Sequence, residues 1–136
     1  SRRRQRQMCI RDRSSHCVVL HHKLIWMPNH PELEPIANQV SNGDIGNCPW
    51  CLNPQSNFYT DIYPHLIDVQ NRGIEVLVVG GDAGRKVGSF QFKTIENIQF
   101  LASGLSDSDP QKSDVIIFHH YPQINQLEWE IKPFVP

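Results

Sequence analysis

The 136-residue chain has no long hydrophobic run. Its longest apolar stretches, such as 76–79 and 115–118, fall far below the roughly 18 residues that a membrane-spanning helix needs. No glycine-rich segment ends in Lys-Ser or Lys-Thr, which excludes a phosphate loop, and no glycine triplet has the spacing of a dinucleotide fingerprint. Cysteine is sparse, at four residues, and only Cys48 and Cys51 stand in CxxC spacing. A closed zinc site wants four ligands, and no second CxxC or close His pair follows to supply them. No internal repeat is visible.

Positive charge is scarce outside one short segment. Six of the 13 Lys and Arg lie in residues 1–13, beside the single acid Asp12. Taking these from 13 bases and 14 acids leaves seven bases against 13 acids, a net charge of −6 for the rest. An acidic body is a poor general binder of nucleic acid, because that affinity rests on cations neutralising phosphates. Nucleic-acid binding is therefore not expected.

Three readings of the basic head compete. As a nucleic-acid arm it has charge but no aromatic residues to stack on bases. As a targeting peptide it lacks the apolar core of a secretory signal and the amphipathic period of a transit sequence. The string from Arg3 to Asp12 (RRQRQMCIRD) also resembles a translated transposase sequencing adapter. On that resemblance, residues 1–14 are extraneous to the fold and residues 15–136 are the C-terminal part of a domain.

With 39% hydrophobic and 20% charged residues over all 136 positions, the chain has the composition of one globular domain. Cys17-Val18-Val19-Leu20 is a β-branched apolar run that ends in His21-His22 and reads as a buried strand. Segment 28–58 carries Pro28, Pro31, Pro35, Pro49 and Pro54, so it is predicted to be mostly loop, with a short helical turn at 32–38. Residues 59–71 place Ile62, Leu66, Ile67 and Val69 on one helical face, and Gly73 stands at the C-cap position. The run 74–79 reads as a strand covered on both faces, ending in Gly80-Gly81-Asp82-Ala83-Gly84. Further strands are predicted at 89–93, 98–103, 115–119 and 127–131, with Leu127, Trp129 and Ile131 inward and 106–113 a polar turn. Helix-then-strand order argues for an α/β layer arrangement, and the closely spaced final strands suggest an antiparallel meander completing a mixed sheet.

Four constellations could carry chemistry. The His21-His22 pair ends a strand, where α/β sheets place ligands and where imidazole could hold a metal; neighbours on a strand point oppositely, so only one of the two enters a given site. A strand-end His is also commonly structural. Asp82, in its Gly-rich turn, could bind a metal or cap the turn backbone. Cys48 and Cys51 could form a disulfide, a redox dithiol or two free thiols. The doublet His119-His120 reads as strand-end structure.

The order of Val18-Val19-Leu20-His21-His22, a long loop, a helix, a strand ending in Gly81-Asp82, and Asn97-Ile98-Gln99-Phe100-Leu101-Ala102-Ser103-Gly104 resembles the C-terminal half of calcineurin-like metallophosphoesterases. The resemblance spans about 17–134. It implies the C-terminal part of a four-layer αββα fold, here a partial mixed β-sheet sandwich with a flanking helix. It also implies two divalent metal ions in the full-length parent and hydrolysis of a phosphoester substrate by metal-activated water. His21 matches the family's fourth metal-binding block, with His22 beside it as a supporting residue and Lys23 where Pro is usual. Gly81-Asp82-Ala83-Gly84 stands where the fifth block normally reads GHxH; Asp82 could donate a carboxylate, whereas Gly84 has no side chain to replace the second His. The DxH, GDxxD and GNH blocks do not occur in this chain, so the chain alone is expected to bind no metal tightly and to be inactive. The alternative is a non-catalytic α/β binding or structural module with a degenerate metal site.

Overall fold

The structure is a computed structural model that describes residues 15–40, 57–83, 89–106 and 109–135. The basic head, Cys48, Cys51 and Gly84 lie outside the described residues. The chain is mixed α/β. Strands β1 (His16–His21), β2 (Glu75–Gly80), β3 (Ser89–Lys93) and β4 (Gln99–Ser103) form one sheet in the order β1-β2-β4-β3. Strands β1, β2 and β4 run parallel, and β3 returns antiparallel along β4. Strands β5 (Asp114–Tyr121) and β6 (Gln126–Pro133) make a separate antiparallel hairpin.

The hairpin departs from the expected meander. Instead of extending the mixed sheet, it packs across one face of it. Side-chain alternation explains why both faces need cover. Even-numbered residues of β2, Val76 and Val78, join Phe100 and Ala102 of β4 in a large core with Leu24, Trp26, Met27, Leu33, Phe58 and Leu66. Odd-numbered residues Leu77 and Val79, with Leu101, form a second core against Ile116, Phe118, Leu127 and Trp129 of the hairpin. Three layers result: helices and loop, mixed sheet, hairpin.

Helices α1 (Ala37–Val40), α2 (Phe58–Asp61) and α3 (Tyr63–Asn71) lie in chain order. The single helix expected over 59–71 is split at Ile62. Pro64 explains the break, because it has no N–H to continue the hydrogen-bond ladder of the preceding turn, while its ring fits the first turn of a new helix. Asn57 starts α2 by accepting the Tyr59 N–H at 2.8 Å. Gly73, at φ +83°, ends the segment in the left-handed conformation expected of it. The short turn expected at 32–38 is a 3-10 turn at Glu34–Ile36 running into α1.

A pair of serines sets the approach of the hairpin. Buried Ser113 accepts the Ser106 N–H at 2.7 Å and donates to the Ser106 carbonyl at 3.3 Å. The Asp114 N–H then bonds the Gly104 carbonyl at 3.1 Å, and the Phe134 N–H bonds the Ser113 carbonyl at 2.8 Å. These bonds clip the start of β5 and the end of β6 to the carboxyl end of β4.

Candidate functional site

Because β1, β2 and β4 are parallel, their carboxyl ends reach one edge of the sheet together. The register pairs His21 with Gly80 and Gly80 with Ala102. Backbone bonds extend this alignment beyond the strands: Gly81 N–H to the His22 carbonyl at 3.1 Å, and Ala83 N–H to the Ser103 carbonyl at 3.5 Å. The two segments singled out in the sequence, His21-His22 and Gly80-Gly81-Asp82, are thereby neighbours in space. An open cleft of about 450 Å³ lies there, with Leu20, Val79, Ile116 and Phe118 among its lining residues and His21, Gly81 and Ser103 at the strand ends.

His21 belongs by alternation with Cys17 and Val19, which pack on the helix-side core, whereas Leu20 belongs with the hairpin side. Its ring lies against Gly80, where an added Cβ would stand 3.1 Å from His21 Cε1 and 2.4 Å from Leu24 Cδ2. Glycine at position 80 is thus required for close approach. Both ring nitrogens are engaged. Nδ1 donates to the Lys23 carbonyl at 2.5 Å, and the Trp26 indole N–H donates to Nε2 at 3.0 Å. That pattern is the neutral Nδ1–H tautomer. The pKa of His21 is held below the ordinary imidazole value, chiefly by desolvation; the Lys23 carbonyl opposes this and the neighbouring His22 adds to it.

His22 is exposed, and Asp82 is half-buried just past the end of β2. Among the described residues no group of three or more His, Cys, Asp or Glu side chains stands together as a metal site needs. A cation at His21 Nε2 would first have to displace the Trp26 N–H. The donor set of the described residues therefore does not fit a divalent metal centre.

The second doublet stands within β5 as a surface feature: His119 Nε2 meets Glu130 Oε1 at 3.1 Å, and Lys132 reaches the same oxygen at 3.1 Å. Sequence reasoning missed the role of Trp26. Its indole partner lies five residues earlier, across a loop whose course the sequence does not reveal. No family model, no curated protein and no solved structure matches this chain.

Proposed function

We propose that this chain is part of a calcineurin-like metallophosphoesterase domain, contributing the sheet edge and cleft wall at which a phosphoester substrate is bound. The observation that supports this reading is the in-register pairing of His21 with Gly80 at the carboxyl ends of adjacent parallel strands. The family resemblance requires those two segments, about 60 residues apart, to meet at one edge. In this reading the family's αββα layering belongs to the complete domain, and the two divalent ions need donors beyond the described residues. The present chain holds no metal tightly and hydrolyses nothing by itself.

The test is a protein expressed from the continuous reading frame upstream of Ser14, assayed with bis-p-nitrophenyl phosphate and Mn²⁺. Metal-dependent turnover that falls at least 100-fold in Asp82→Asn supports the reading. A frame without DxH, GDxxD and GNH segments, or an inert product, sinks it.

A second reading rests on the Trp26–His21 hydrogen bond. An imidazole whose lone pair is committed to an indole suits a non-catalytic α/β module that keeps the strand-end cleft without the metals. Mn²⁺ titration of the longer protein separates the two: metal-induced thermal stabilisation supports the enzyme, and its absence supports the module.

A further inference from the structure

A second cavity, of about 350 Å³, lies on the helix side of the sheet near the end of β3. That volume is at the lower end of small-molecule pockets, which run roughly 300–1,000 Å³. His30, Tyr59, Tyr63 and Phe92 line it, with Glu96 among the polar residues. The rings are inclined to one another instead of stacked flat: His30 and Tyr59 stand 5.2 Å apart at 50°, His30 and Phe92 5.1 Å at 75°, and Tyr59 and Tyr63 5.3 Å at 59°. At these separations the rings pack against one another and form a continuous aromatic part of the cavity lining.

The polar groups decide what the space suits. Tyr59 spends its hydroxyl on the Trp26 carbonyl at 2.5 Å, and Tyr63 donates to Glu96 Oε2 at 2.6 Å. Both phenols therefore keep their protons; burial first, and then the Glu96 bond, pushes the pKa of Tyr63 up to about 12. The same hydrogen bond, from the other side, is the largest of the causes that hold the Glu96 carboxyl below its ordinary pKa. What remains for a ligand is aromatic surface and negative charge, since Glu32 and Glu96 outnumber Lys93 in the lining. Each phenol has spent its one O–H, so toward a ligand it can only accept.

We propose that this cavity binds an organic ammonium ion, its methylated nitrogen received by the aromatic walls and its charge balanced by Glu96. Attraction of a cation to ring faces and a nearby carboxylate provides the recognition. Because the site is open and Glu96 is exposed, affinity is weak, with a Kd on the order of 1–10 mM.

The probe is choline chloride, titrated into the full chain at constant ionic strength and followed by amide chemical shifts of Tyr59, Tyr63, Thr94 and Glu96. Nε-Trimethyl-lysine and the neutral isostere 3,3-dimethyl-1-butanol are run in parallel. Saturable shifts with choline, at least about five-fold weaker with the isostere, are expected. If choline alone saturates, the ligand is a free small amine; if trimethyl-lysine binds more tightly, the source is a methylated side chain. Either result upholds the ammonium site. Glu96→Gln is expected to weaken choline binding about five-fold, and Lys93→Gln to strengthen it about two-fold, because one removes an opposite charge and the other a like charge. Both positions are exposed, so the fold is retained. Equal binding of the isostere, tighter binding of glucose than of choline, or the opposite response to the Lys93 change would each overturn the proposal.

Discussion

At the scale of single residues, the Trp26–His21 bond joins chemistry to stability. Trp26 is wholly buried and packs on Phe100 with ring centroids 4.9 Å apart, so its N–H needs a partner inside the protein. His21 can accept that N–H only while Nε2 is unprotonated. Its folded pKa lies below the unfolded value of 6.5, so the unfolded chain takes up the proton first as pH falls. The stabilisation is complete above pH 6.5 and is lost as pH drops through the folded pKa. Thermal melts between pH 8 and pH 5 are expected to show this loss in the parent and a shallower one in His21→Gln; equal slopes would refute it. Gly80→Ala acts at the same contact. The new Cβ would stand 2.4 Å from buried Leu24 Cδ2, and overpacking of this kind costs about 1–3 kcal/mol, to be read from urea unfolding.

At the scale of elements, the serine clip between β4 and β5 controls how the hairpin docks. Ser113→Ala leaves the Ser106 N–H and carbonyl without this partner in a buried position, a loss of about 1–3 kcal/mol. Amide exchange is expected to quicken in β5 and β6 while β2 keeps its protection; uniform quickening would mean that the clip does not govern docking. The strands themselves were legible, because apolar runs at Val76 to Val79 and at Val115 to Phe118 mark them whatever their partners. Their pairing was not. The sequence spacing of β4, β5 and β6 suits a meander as well as it suits a hairpin crossing to another layer. The choice is made by long-range burial, where Leu77, Val79 and Leu101 need the faces of Phe118 and Trp129. The candidate site was partly legible in the same way. His21 and Gly80-Gly81-Asp82 were visible as strand ends, and the parallel register supplies their adjacency. The commitment of the His21 lone pair was hidden, since it depends on where the 22–26 loop places Trp26.

At the scale of the whole molecule, the two cores are unequal in reach. The helix layer covers one face of β1 through Cys17 and Val19, but the hairpin core engages only β2 and β4. Val18 and Leu20, on the other face of β1, remain 38% and 72% exposed. Among the described residues no strand pairs with the outer side of β1 either. An unpaired, apolar strand edge is a template for association, since it offers backbone hydrogen bonds and dry surface to another chain. Concentration-dependent self-association of the protein is therefore expected, driven by β1. Leu20→Lys places a charge on the exposed face without touching either core, so its stability is expected to change by no more than about 0.5 kcal/mol. Its association, measured by light scattering over a concentration series, is expected to fall several-fold. A Leu20→Lys protein that associates as readily as its parent would move the sticky surface away from β1, leaving Ile95 and Ile124, 93% and 66% exposed, as the next apolar positions to change.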